Sequence, residues 1–117
     1  MTDGVRPERV AEEFREILAE EIPKLKDPRV GFVTVTGVDV TPDLGRAIVY
    51  YTVMGEEPDR KATRAGLRSA AGHLRAELGR QVRLKVLPDL DFREDQSLAA
   101  GERVEELLRQ IHEREDE

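Results

Sequence analysis

Nine basic residues fall between positions 60 and 93 of this 117-residue chain: Arg60, Lys61, Arg64, Arg68, Arg75, Arg80, Arg83, Lys85 and Arg93. Only Glu77, Asp89 and Asp91 oppose them, so the segment carries +6 in a chain whose formal net charge is −6. The flanking segments, residues 1–59 and 94–117, carry −6 each. Charge is therefore segregated along the chain. Clustered cations contact phosphates, and they supply affinity that falls as salt rises but carry no sequence information themselves. Arginine outnumbers lysine 15 to 4, and its planar fork both grips phosphate bidentately and stacks on bases. The clustering predicts a basic face turned towards a polyanion, formed by Arg60, Lys61, Arg64, Arg68, Arg75 and Arg80, with Arg83 and Lys85 at the margin. The alternative is a small non-catalytic interaction module whose basic patch binds an acidic protein.

Catalytic constellations are poorly supported. The two histidines, His73 and His112, lie far apart, and neither has the spacing of a metal-binding pair. Ser69 and Ser97 lack the glycine-flanked setting of a nucleophile elbow. Ala71-Gly72 is too little to cradle a triphosphate, and no dinucleotide fingerprint is present. There is no cysteine, hence no disulfide or thiolate metal site. The reading is a protein that is not an enzyme, takes no cofactor or metal, and has no small-molecule substrate. The N-terminus lacks the apolar run of a signal peptide and no stretch is long enough to span a bilayer, so a cytoplasmic protein without membrane contact is expected.

The elements that must position the basic segment follow from periodicity. Pro7 suits a first helical turn, and Val10, Phe14, Ile17, Leu18, Ile22 and Leu25 mark one face of a helix that Asp27-Pro28 stops. Val33 and Val35 alternate, the phase slips at Gly37, and Val38 and Val40 resume it, which predicts a strand with a β-bulge. Thr41-Pro42-Asp43-Leu44-Gly45 is turn chemistry, and Ala47, Val49, Tyr51 and Val53 form the returning strand of a hairpin. A second helix is predicted from about Asp59, with Ala62, Ala65, Gly66, Ser69 and Ala70 against the sheet and Leu67, Leu74 and Leu78 extending apolar contact across the elbow to Gly79. Gly72 breaks the helical pattern, so two short helices are expected to meet at an elbow built from Ala70, Ala71 and Gly72. Val82, Leu84 and Val86 alternate as a third strand, continuing past Pro88 to Leu90 and Phe92. A last helix, about 96–113, uses Leu98, Val104, Leu107, Leu108 and Ile111 before a charged tail to 117. One domain over 1–117 accommodates all of this, with a core at about 6–93.

The order is α-β-β-α-kink-α-β with a C-terminal helix: an α+β fold with a three-stranded sheet and helices packed on one face. It resembles a type II KH domain, except that Ala70-Ala71-Gly72 stands where KH domains carry a GXXG loop. That departure, with several flanking motifs, is similar to the bacterial ribosome-binding factor A family. The matching pieces are Arg9-Val10, Leu25-Lys26-Asp27-Pro28-Arg29-Val30, Val33-Thr34-Val35-Thr36 with Val38, Asp43-Leu44, Ala47 and Val49-Tyr50. They continue with Ala70-Ala71-Gly72, Leu74-Arg75, Glu77-Leu78-Gly79, Pro88-Asp89-Leu90, Phe92, Asp95 and Ser97. The resemblance implies a ribosome biogenesis factor that binds the free small (30S) ribosomal subunit and its rRNA. It implies help with late maturation and 5′-end processing of 16S rRNA, an association with growth in the cold, and a monomer off the ribosome. Some members carry a longer basic C-terminal tail, whereas this chain ends in Arg114-Glu115-Asp116-Glu117, which puts weight on the central basic segment.

Overall fold

The computed structural model describes residues 6–96 and Arg109. The expected C-terminal helix over about 96–113 and the tail to 117 lie outside the described residues, apart from Gln96 and Arg109.

Helix α1 spans Pro7–Glu21, with proline in its first turn where no N–H is needed. Pro23 then tightens the chain into a single 3-10 turn, Ile22–Lys24. Val10, Ala11, Phe14, Leu18 and Ile22 are buried, close to the predicted stripe. Beyond the turn, Asp27 caps its own bend: its carboxylate accepts the Arg29 backbone N–H (2.9 Å) and the Arg29 guanidinium (2.6–3.1 Å). Those hydrogen bonds hold the Asp27 carboxyl below its ordinary pKa. The helix has already ended at Glu21, ahead of the stop that Asp27-Pro28 predicts, so Asp27-Pro28-Arg29 is a strand-entry turn with its arginine already engaged.

Strands β1 (Val33–Val40) and β2 (Arg46–Val53) pair antiparallel, and their register shifts between Val35 and Gly37. The phase slip in the sequence is that bulge. Asp43 builds the connecting turn by accepting the Gly45 N–H (2.9 Å) and the Thr41 hydroxyl (2.7 Å). Leu44 takes a left-handed φ of 60° there, a conformation that costs a non-glycine residue about 1–2 kcal/mol. The sheet is completed by β3 (Asp89–Glu94), which lies parallel to β2, in the order β1-β2-β3.

The third strand is later than the alternation of Val82, Leu84 and Val86 predicts. Residues 82–88 form no strand: Val82 is buried, Leu84 is half-buried and Val86 is exposed. Arg75 explains why, because its guanidinium takes the Leu87 carbonyl (2.7 Å) and the Pro88 carbonyl (3.1 Å) that a ladder would need. Proline 88 also has no N–H to give. The strand begins one residue later, where the Asp89 N–H reaches the Gly45 carbonyl (3.0 Å).

Helix α2 runs unbroken over Glu57–Gln81. The Glu56 N–H donates to the Asp59 carboxylate (2.9 Å), half of a capping box that starts the helix slightly ahead of the predicted Asp59. The two short helices expected from the sequence are therefore one, and Ala70, Ala71 and Gly72 are all helical within it. Its buried residues are Gly66, Leu67, Leu74 and Leu78, as expected, together with Thr63, whereas Ala65 and Ser69 are exposed instead of facing the sheet. The three leucines and Thr63, more than the small residues, meet α1 and the sheet. The core they join contains Phe14, Leu18, Val35, Ala47, Val49 and Tyr51.

Two glycines in this helix have opposite roles. A Cβ on Gly66 would stand 2.7 Å from Val30 Cγ2, whereas one on Gly72 would meet nothing within 4 Å. Gly66 is the close-approach residue, and Gly72 is an exposed helical glycine. Gly66→Ala is therefore expected to lose about 1–2 kcal/mol through overpacking against a stiff β-branched side chain. Gly72→Ala is expected to gain about 0.5–1 kcal/mol from helix propensity. Urea denaturation of both variants checks the pair; a destabilised Gly72→Ala contradicts this assignment.

Candidate nucleic-acid interface

At 3.6 residues per turn, Arg60, Arg64, Arg68, Ala71 and Arg75 share one face of α2, with Lys61 and Gly72 on its flank. This face runs beside β3, the outer strand of the sheet. Between them lies a groove of about 340 Å³ lined by Arg46, Arg64, Arg68, Ala71, Asp89, Leu90, Asp91 and Phe92. Leu90 and Phe92 give it a partly apolar wall, three guanidiniums make it cationic, and two aspartates limit that charge. Such a groove accepts an extended anionic chain: phosphates on the arginines and flat apolar groups against Phe92 and Leu90.

The arginines in this row are not equivalent. Arg60 donates to Glu94 (2.6 Å) and lies 3.4 Å from Glu57. Its hydrogen bond and charge pairing with Glu94 raise its pKa still further. Arg64 approaches the second Glu94 oxygen at 3.7 Å. Beneath them the buried Tyr51 phenol is pushed above its ordinary pKa, first by burial and then by the Glu94 carboxylate. Tyr51 thus stays neutral at the inner end of a small Arg–Arg–Glu cluster. Arg75 is committed to the carbonyls of Leu87 and Pro88 and lies 3.7 Å from Asp89. Its role is to hold the 82–88 segment against the helix.

Arg68 and Lys61 differ from these. Both are exposed, and neither has a hydrogen bond or ion pair among the described residues. The side chain of Arg46 at the start of β2, which sequence reasoning missed, is likewise exposed and without a partner among the described residues, although its backbone bonds to Thr41. Nothing local marks Arg46. It reaches the groove because β2 and β3 pair in parallel with Arg46 opposite Asp89, a long-range register that periodicity does not encode.

The other expected cations are dispersed. Arg80 lies on the far side of α2 and pairs with Glu77. Arg83 and Lys85 are exposed in the 82–88 segment, where they line a shallow cleft with Gly79, Val82 and Leu84. Arg83 also borders a cleft against α1 with Arg6, Arg9 and Glu13. They are cations of a separate surface. Of the elbow residues, Ala71 lines the arginine groove, Ala70 packs against the core, and Gly72 is exposed beside the row.

Comparison with known proteins follows the same lines. The family described as ribosome-binding factor A matches residues 6–108. A ribosome-binding factor A from Geobacter sulfurreducens is 50% identical over 107 residues, covering 91% of this chain and 91% of that protein. One from Anaeromyxobacter sp. strain K is 52% identical over 112 residues, covering 94% of this chain and 81% of that protein. Among solved structures, the crystal structure of ribosome-binding factor A from Thermus thermophilus superposes with a TM-score of 0.69 at 32% identity, covering 76% of this chain and 94% of that one. A Thermus thermophilus homology model fitted into a cryo-EM map of a 30S complex gives a TM-score of 0.64 at 33% identity, covering 74% and 92%.

The contrast between engaged and free arginines can be measured on the isolated protein. Arg75→Ala is expected to lower the unfolding free energy by about 1–2 kcal/mol, because two carbonyls lose a charged donor. Arg68→Ala is expected to stay within about 0.5 kcal/mol, as for other unpaired surface positions. Chemical denaturation of the two variants decides it; equal losses would refute the division.

Proposed function

Since this chain belongs to the ribosome-binding factor A family, we propose that it binds the free small ribosomal subunit by laying the α2–β3 groove on 16S rRNA. The observation that carries this reading is the row of unengaged cations, Lys61, Arg68 and Arg46, beside an open groove in an otherwise acidic protein. Arg60, Arg64 and Arg75 shape the groove and add field, while Arg83 and Lys85 belong to a separate basic surface beyond the end of the helix. The similar Thermus protein was fitted into a map of its 30S complex, which supports the same partner here.

The chemistry is binding. A protein of this kind assists late maturation and 5′-end processing of the rRNA by favouring one RNA conformation while processing enzymes act. Acidic surfaces elsewhere, such as the outer face of α1, are repelled by phosphate and restrict the orientation in which the protein docks. The protein acts as a monomer in the cytoplasm and leaves before the subunit enters translation.

Affinity for purified small subunits, titrated against salt, tests this directly. Log affinity is expected to fall linearly with log salt, and Lys61→Ala combined with Arg68→Ala to reduce the slope by about two. An unchanged slope in the double variant would remove the proposed face. Cleavage of precursor rRNA by the pure protein would overturn the binding-only reading.

A further inference from the structure

The edge of the sheet opposite the arginine groove is also open. In the order β1-β2-β3, β1 is the other outer strand, and among the described residues nothing pairs with its far side. Hydrogen bonds at its two ends fix which backbone groups face outward. The Met54 N–H donates to the Phe32 carbonyl, and the Thr41 N–H to the Arg46 carbonyl. Alternation from those two points turns the N–H and C=O of Val33, Val35, Val38 and Val40 away from β2. Beside this edge runs a cleft of about 860 Å³, walled by residues 34–40 of β1 and by Pro7, Glu8, Ala11, Glu12 and Arg15 of α1.

The charge of the cleft selects its occupant. Glu12 is hydrogen-bonded to Arg15, but Glu8 and Asp39 are exposed and have no ion-pair partner among the described residues. Phosphate is repelled here. A second copy of this chain, paired edge to edge, would bring the same carboxylates together. An extended chain with positive side chains meets neither obstacle, and its own amides can satisfy the outward groups of β1.

We propose that the α1–β1 cleft is a second docking site, which takes an extended, lysine- or arginine-rich segment of another protein as an added strand on β1. The bulge between Val35 and Gly37 divides the edge, so the added ladder is short and relies on the carboxylates for part of its affinity. The two sheet edges then have opposite partners, RNA at β3 and basic protein at β1. This goes beyond the RNA-binding reading and does not depend on it.

The test uses the isotope-labelled full chain and an end-blocked peptide, Lys-Val-Lys-Thr-Lys-Val-Lys, followed by NMR and amide exchange. Binding is expected to protect the amides of Val33 and Val35, or of Val38 and Val40, and to leave those around Arg68 unchanged. Glu8→Lys with Asp39→Lys is expected to weaken it about tenfold. A peptide with proline at its centre is expected to lose the protection, because it lacks the N–H for the ladder. The proposal is overturned by absence of binding, by equal binding of the proline peptide, or by affinity that survives charge reversal. An RNA oligonucleotide shifting the same β1 amides would overturn it too. None of these outcomes bears on the salt dependence of subunit binding, so the two readings fail separately.

Discussion

A single threonine hydroxyl fixes how α2 sits on the rest of the protein. Thr63 is fully buried; its Oγ1 accepts the Gly31 N–H (3.0 Å) and donates to the Arg29 carbonyl (3.3 Å). One helical turn away, Gly66 lets the same strand-entry segment come into contact, with Val30 where a Cβ would be. The helix is thereby held at one rotation and one distance. Leu67, Leu74 and Leu78 then fall into the core, and the arginine face is left pointing along β3. A buried hydroxyl with two backbone partners is costly to disrupt, because both peptide groups lose a bond together.

From that rotation comes the division of labour among the cations. Arg60 and Arg64 meet Glu94 at one end of β3, and Arg75 takes two carbonyls at the other. These contacts tie the helix to the edge strand and keep the groove open between them. Arg68 stands between the two ties with no ion-pair partner among the described residues, and Arg46 and Lys61 flank it. A polyanion arriving here finds preorganised charge without breaking the pairs that hold the groove together. At the other edge of the sheet, the α1–β1 cleft carries Glu8, Glu12 and Asp39 against the single Arg15.

Much of this was legible in the residues, and the gaps have physical causes. The hairpin, its bulge and its turn were readable because alternation, a phase slip and Asp-x-Gly chemistry are local. The first helix was readable from Pro7 and its apolar stripe, but its end was placed too late, because Pro23 tightens the chain before Asp27-Pro28 is reached. The third strand was misplaced because Val82-Arg83-Leu84-Lys85-Val86 alternates as a strand does, while a guanidinium from another element captured its backbone partners. The helix was split in two because Gly72 disfavours helix locally, yet packing on both sides outweighs a cost of about 1 kcal/mol. The burial of Thr63 was missed because it reads as a neutral helical threonine until Gly31 and Arg29 are beside it. Charge segregation pointed to 60–93, but sequence cannot separate an arginine with a partner from one without.

The chain has no cysteine, so a single introduced thiol can carry a hydroxyl-radical probe to the small subunit. The exposed Gly72, beside Arg68 on α2, and Glu16, on the outer face of α1, are suitable positions. A probe on Gly72→Cys should cleave 16S rRNA at discrete nucleotides, while one on Glu16→Cys should cleave weakly or not at all. Strong cleavage from position 16 with none from position 72 would contradict the account.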